Sequence, residues 1–215
     1  MTLPNFMCLG AAKSGTTTLY DILRQHPDIY IPAFKEPHFF DIPENYKNGI
    51  EWYKRNYFRN ANKKIIADFT PSYFFEKEAP KRIFKNLGRD MKFLVIFRNP
   101  VDRAYSHYLH SKRDDHESEN FEKSLELEVS RLKKHENQSD YLSYLRHSYV
   151  HQGLYAQMID RYLQYFSLDN FLFIHFDDEL LQERELTIKR ILEFLEIDSS
   201  VLLRTNIRSN PSSKE

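Results

Sequence analysis

Nine consecutive residues near the amino terminus, Gly10-Ala-Ala-Lys-Ser-Gly-Thr-Thr-Thr18, bring together two glycines, one cation and four hydroxyls. Small residues let backbone N–H groups approach an anion, and a helix beginning here adds the positive end of its dipole. The expected ligand is a phosphate ester. The spacing departs from the nucleoside-triphosphate loop G-x-x-x-x-G-K-[ST], because Thr16 stands where the lysine belongs and Lys13 lies three positions earlier. A lysine ahead of the second glycine reaches the 5' side of a nucleotide, and Thr16 offers a hydroxyl in place of an ammonium. Such a loop suits a 5'-phosphate carrying a short leaving bond better than a triphosphate with Mg²⁺.

A second anion site is expected at Arg98-Asn-Pro-Val-Asp-Arg-Ala-Tyr-Ser106, where Asn99 can cap a helix that starts at Pro100. Arg98 would stand beside that helix's N-terminus, with Arg103 and Ser106 as further donors. The competing arrangement pairs Arg98 with Asp68 or Asp102. Lys35-Glu-Pro-His-Phe-Phe-Asp41 supplies acid–base chemistry in a loop stiffened by Pro32 and Pro37. Glu36 or His38 can take the proton of an attacking hydroxyl, or the two can act together.

These groups need a scaffold, and the hydrophobic pattern describes one. Apolar runs at Phe6–Leu9, Lys64–Ala67, Lys92–Phe97 and Asn170–Phe176 read as buried strands. Helical periodicity lies between and after them, near Thr16–Gln25, Glu78–Asn86, Pro100–Ser111, Phe121–Glu136, His151–Tyr165 and Leu180–Leu195. Strands alternating with helices predict an α/β fold, P-loop-like, with three layers: a central parallel sheet flanked by helices. Ligands in such sheets sit at the carboxyl ends of the strands. That rule selects the loops Gly10–Gly15, Asp68–Tyr73 and Arg98–Asp102, and leaves the charged segment His110–Asn120 as an exposed connection.

Composition narrows the partners. The 215 residues fit a single domain spanning the whole chain, and 31 basic residues balance 31 acidic ones, so no global positive field marks a nucleic-acid binder. Cys8 is the only cysteine, which excludes an internal disulfide and fits a reducing compartment. With no signal-like start and no long apolar run, the expectation is a cytoplasmic protein without a membrane span.

With both anion motifs in order on the right elements, the sequence resembles the PAPS-dependent sulfotransferases, from about Asn5 to Leu195, with Gly153-Leu-Tyr155 and Phe194-Leu195 in the usual succession. The resemblance is closest to the carbohydrate, heparan-type enzymes, carried by Glu36-Pro-His-Phe-Phe-Asp41 and continued in Tyr46-Lys-Asn-Gly-Ile-Glu-Trp-Tyr53. It implies PAPS (3'-phosphoadenosine 5'-phosphosulfate) as donor, PAP as product and no metal. It further implies that Lys13 contacts the bridging oxygen while Ser14, Gly15, Thr16, Thr17 and Thr18 hold the 5'-phosphate. Arg98 and Ser106 would bind the 3'-phosphate, Glu36 would be the base, and His38 would orient it or the acceptor. The acceptor would be a hydroxyl or amine of a carbohydrate or small metabolite. One position departs: heparan-type enzymes commonly read E-K-[TS]-P where this chain has Asp68-Phe-Thr-Pro71, so charge stabilisation is expected to rest mainly on Lys13.

Two rivals stand beside this reading: an ATP- and Mg²⁺-dependent phosphotransferase, opposed by the displaced Lys13, and a nucleotide-binding module without catalysis. His147 and His151, four apart on an expected helix, have zinc-ligand spacing but no H-E-x-x-H context, and are assigned to surface or packing. Asp177-Asp-Glu179 is assigned to helix capping. The tail 199–215, with Arg204, Arg208 and Lys214, either covers the nucleotide or is truncated.

Overall fold

Apolar runs bounded by polar or turn-forming residues become parallel strands where both faces can be covered. The computed structural model describes residues 3–207. Its strands are β1 (Phe6–Gly10), β2 (Ile29–Tyr30), β3 (Ile65–Asp68), β4 (Lys92–Phe97) and β5 (Phe171–His175). Among the described residues they form one five-stranded sheet in the order β2-β3-β1-β4-β5. All neighbouring pairs are parallel, with Phe6 opposite both Ala67 and Lys92, Ile29 opposite Ile65, and Phe93 opposite Phe171. The chain moves from β1 to one side for β2 and β3, then to the other for β4 and β5. The crevice between β1 and β4 is therefore the switch point at which such sheets bind ligands.

The two-residue period of the strands divides the interior into two cores. Met7, Leu9, Phe93 and Val95 join Phe39, Phe40, Tyr53 and Tyr73 on one face. Phe6, Cys8, Leu94 and Ile96 join Leu19, Ile22, Ile188 and Ile191 on the other. Both faces exclude water, so the strands are apolar apart from Asp68, Lys92 and His175 at their ends, and the expected α/β architecture is the one observed. The short β2 was not among the expected strands, because two residues carry no readable alternation.

The helices nearest the site are α1 (Thr16–Leu23), α2 (Pro43–Lys47), α3 (Ile50–Tyr57), α4 (Ser72–Phe75), α5 (Ala79–Leu87) and α6 (Pro100–Arg113). Beyond them come α7 (Phe121–Gln138), α8 (Tyr141–His147), α9 (Tyr155–Leu163) and α10 (Arg184–Phe194). The Asn99 cap forms as expected, its side chain accepting from the Val101 N–H at 2.9 Å.

Several expectations need correction. The helix expected at His151–Tyr165 begins as a 3₁₀ turn at His151–Gly153, and that expected at Leu180–Leu195 is preceded by a π-helical turn over Phe176–Gln182. His147 ends α8 while His151 opens the 3₁₀ turn, so the two do not share a helix. Glu179 accepts from the His175 N–H at 2.6 Å and pairs with Arg190. The segment His110–Asn120 is not simply exposed: α6 runs to Arg113, and Glu117 is buried against Arg131 at 2.6 Å and the Tyr149 hydroxyl at 2.9 Å.

Candidate donor and base site

The loop after β1 is shaped by two glycines in the left-handed region. Gly10 has φ 131° and Gly15 φ 82°, and a Cβ on Gly15 would come within 2.8 Å of Leu180 and 2.9 Å of Phe176. Only glycine adopts such angles without strain and admits those neighbours. The turn ends at Thr16, the first residue of α1, whose leading N–H groups lack intrahelical partners and face the loop. Thr16 and Thr18 are nearly buried, Thr17 is half-buried, and the Ser14 hydroxyl is buried with no hydrogen-bond partner. Burial, and then the cations Arg113, Arg98 and Lys35, pull the Lys13 ammonium down to about 8. Crowded cations with an orphaned hydroxyl call for an anion.

Arg98 extends from the carboxyl end of β4 to this loop. Its Nη1 donates to the Lys13 carbonyl at 2.9 Å and its guanidinium lies 4.8 Å over the Phe176 ring, while its Nε is buried without a partner. It pairs with neither Asp68 nor Asp102. The Tyr155 hydroxyl donates to the Arg98 carbonyl at 2.9 Å, and Gly153 packs on Pro100, so Gly153-Leu-Tyr155 braces this strand end. Ser106 lies two turns into α6, nearly buried. Arg103, expected as a further donor, is instead fully buried and donates to the Tyr149 carbonyl.

The loop after β2 brings the candidate bases Glu36 and His38 to the same end of the sheet. His38 Nδ1 lies 2.7 Å from Asp41 Oδ2, and His38 Nε2 lies 3.3 Å from Glu36 Oε2. Asp41 also accepts from the Ser72 hydroxyl and from the Ile42 N–H at 2.9 Å. Lys35 Nζ sits 3.2 Å from Glu36 Oε1 and donates to Thr17 Oγ1 at 3.1 Å. Burial disfavours a charged His38, but hydrogen bonds to Asp41 and Glu36 outweigh it and raise the ring to about 10. Burial likewise acts against the Glu36 carboxylate, and His38 and Lys35 outweigh it, holding the acid below its ordinary range. At neutral pH the imidazole is a cation and cannot accept a proton; Glu36 is ionised and can.

Beneath this cluster, Asp68 is fully buried and accepts from Tyr53 at 2.6 Å, Thr70 at 2.6 Å and Tyr73 at 3.1 Å. Burial pushes its carboxyl up to about 6, against the pull of those hydroxyls. Phe69, where the resemblance would place a lysine, is 1 % exposed, its ring edge-on to Phe6 and Tyr20. Lys35 and Asp41 were the residues that motif reading passed over. Both flank the Glu36–His38 pair in sequence, a signal that was available, whereas Ser72 and Tyr73 arrive from another strand end, in the loop Asp68–Tyr73 that the strand-end rule selected without assigning them a role. Arg204 meets Gln25 beyond the far end of α1, away from the phosphate loop, through hydrogen bonds of 3.0 and 3.2 Å. Arg208 and Lys214 lie outside the described residues.

A phosphate-type loop and an arginine at the switch point of a parallel sheet, faced by an ionised carboxylate, define a P-loop-like group-transfer protein. Residues 3–212 match the sulfotransferase domain family, and the chain belongs to it. It is 34% identical over 201 residues to human heparan sulfate glucosamine 3-O-sulfotransferase 6, covering 89% of this chain and 52% of that protein. Mouse heparan sulfate glucosamine 3-O-sulfotransferase 3B1 is 36% identical over 195 residues, covering 90% of this chain and 46% of its own. The chain thus spans about half the length of these curated relatives. A sulfotransferase structure from Alicyclobacillus acidocaldarius superposes with a TM-score of 0.85 at 31% identity, over 98% of this chain and 88% of that one. Mouse sulfotransferase SULT7A1 complexed with PAP shares the fold, with a TM-score of 0.54 at 21% identity, over 91% of this chain and 58% of that one. No helix among the described residues is long and apolar enough to cross a membrane. The cytoplasmic placement expected from the start of the chain and the lack of a long apolar run is not supported by these comparisons.

Proposed function

We propose that the chain moves a sulfuryl group from PAPS to a hydroxyl of a carbohydrate, with Glu36 as general base. The observation that carries this is the contact between the two loops: the base loop reaches the donor loop through Lys35, so an ionised carboxylate faces a phosphate cradle. The Ser14 hydroxyl and the Arg98 Nε, both buried and without partners, fit a ligand rich in phosphate oxygens. When bound, PAPS supplies an activated sulfuryl group on its 5'-phosphate.

In this reading Ser14, Gly15, Thr16, Thr17 and Thr18 hold the 5'-phosphate, and Arg98 with Ser106 takes the 3'-phosphate. An arginine committed to a 3'-phosphate distinguishes PAPS from ATP, which lacks one. The acceptor oxygen attacks sulfur in line and gives its proton to Glu36. The sulfur–oxygen bond to the 5'-phosphate breaks, and its electron pair stays on the phosphate oxygen beside Lys13. His38, held as a cation by Asp41, orients Glu36 and keeps it ionised. The chemistry needs positioning and charge, and no covalent intermediate.

The relatives' named substrate and the groove beside α4 support a carbohydrate acceptor. A cavity of about 740 Å³ runs past Phe75, Lys77, Lys133, Glu136, Tyr144 and Arg161, where aromatic faces lie beside cations, one of them, Lys77, 3.5 Å from Glu136. Phe75 lies one turn from Ser72, which holds Asp41.

Calorimetric titration with PAP, and separately with ATP and Mg²⁺, tests the donor. The expected result is PAP binding that Arg98→Ala weakens by roughly tenfold to a hundredfold, the value of losing one or two charge-assisted hydrogen bonds. Preferential binding of ATP and Mg²⁺ would instead make the protein a phosphotransferase.

A further inference from the structure

Lys35 belongs to neither of the two anion motifs, yet its side chain is 15 % exposed and ends between the first of them and the base loop. Its Nζ donates to Thr17 Oγ1 at 3.1 Å and stands 3.2 Å from Glu36 Oε1. Glu36 already holds His38 at 3.3 Å, so this carboxylate is shared by two cations. An ammonium drawn from water and given half of one counter-ion has capacity for another anion. Thr17 marks where that anion would come from, since its hydroxyl lies in the first turn of α1, at the positive end of the helix.

We propose that Lys35 is a catalytic cation that contacts the sulfuryl group of the donor, an assignment that rests on the sulfotransferase reading above. Its position between acceptor base and donor cradle places it on the acceptor side of the atoms that move, while Lys13 stands by the leaving phosphate oxygen and Arg98 by the nucleotide. The pairing with Glu36 also gives Lys35 a timing that a fixed cation lacks. As the acceptor oxygen forms its bond to sulfur, its proton passes to Glu36, and the carboxylate that restrained Lys35 becomes neutral. In the same step the sulfur–oxygen bond to the 5'-phosphate breaks and leaves its electron pair on the phosphate. The ammonium loses one counter-charge as another grows within its reach, so its attraction to the transferring group is stronger in the transition state than in the ground state. On this proposal charge stabilisation is shared by Lys35 and Lys13, where the sequence alone suggested mainly Lys13. With the Phe69 ring packed in the core, the additional cation enters from the base loop.

PAPS and PAP differ by the sulfuryl group alone, so their affinities isolate the contact without an acceptor. Calorimetric titrations of the full chain, wild type, Lys35→Met and Lys35→Arg, should show Lys35→Met weakening PAPS by about tenfold, or about 1.4 kcal/mol, with PAP changed less than about threefold. Lys35→Arg should keep PAPS within about threefold of wild type. Retained PAP binding reports that the variant is folded, and Lys35→Gln replaces the methionine variant if that one does not fold. Equal losses for PAPS and PAP, or no loss for either, would overturn the assignment while leaving the donor reading intact. A wild-type protein that binds neither nucleotide overturns the donor reading itself, and Lys35's role with it.

Discussion

Around Gly10–Thr18 buried polar atoms lack partners, among them the Ser14 hydroxyl and, beside the loop, the Arg98 Nε. Around Lys35–Asp41 the charges are paired: Lys35 with Glu36, Glu36 with His38, and His38 with Asp41, which Ser72 also holds. The contrast separates two ways of preparing a reaction. A donor cradle contributes binding energy if its donors are unsatisfied until the anion arrives, since a satisfied donor would exchange one hydrogen bond for another. A base must be ionised and aimed before the acceptor arrives, and that requires its partners to be present in the free protein.

Removing the proposed base should have the largest effect and should fall on one side of the contrast. Glu36→Gln is expected to lower PAPS-dependent transfer by roughly a hundredfold to ten-thousandfold, the usual contribution of general-base catalysis. PAP affinity should remain within about threefold. Steady-state kinetics beside calorimetry checks both, and a Glu36→Gln enzyme with full activity would take the proton elsewhere.

The donor side should instead show its preparation in pH dependence. Burial and neighbouring cations place Lys13 near about 8 in the free protein, so the ammonium is lost as pH rises through that value, and a bound anion favours its charged form. PAP affinity should fall by about tenfold between pH 7 and 9, with proton uptake on binding. Lys13→Arg should flatten the dependence, because a guanidinium stays charged throughout. Titrations in buffers of different ionisation enthalpy measure both affinity and proton uptake.

The smallest effect sharpens the comparison on the base side. His38 is raised from an ordinary value of 6.5 to about 10, so its ion pair contributes fully below pH 6.5 and is lost as pH rises through about 10. Asp41→Asn removes the partner that contributes most to that rise. The stability gap between wild type and Asp41→Asn should therefore narrow by about 1 kcal/mol between pH 7 and pH 10, read from denaturant melts at each pH. A constant gap would give Asp41 a packing role alone.

Much of this arrangement was legible in the chain. The phosphate loop, the Asn99 cap and the long strands announce themselves because local sequence determines them: glycine angles, a capping side chain and runs of buried residues act over a few positions. Two features resisted. β2 is too short to show a period, yet the base loop leaves from its carboxyl end, so the rule that places ligands there applied to a strand that could not be seen. Arg103 read as a donor beside Ser106, but it faces the interior and the Tyr149 carbonyl, because side-chain direction on α6 is set by what packs against it.

The sequence by itself determined the family of chemistry, since residue types at Gly10–Thr18, Glu36–Asp41 and Arg98–Ser106 restrict what can be bound and which group can accept a proton. Only the tertiary structure decided their charge states and partners. Whether His38 is a base or a cation depends on Asp41 and Glu36 lying at hydrogen-bond distance on both sides of one ring. Whether Lys35 is a surface charge or part of the site depends on Thr17, eighteen residues away in sequence and 3.1 Å away in space. Electrostatic interactions are set by distance and burial, and neither is fixed by spacing along the chain.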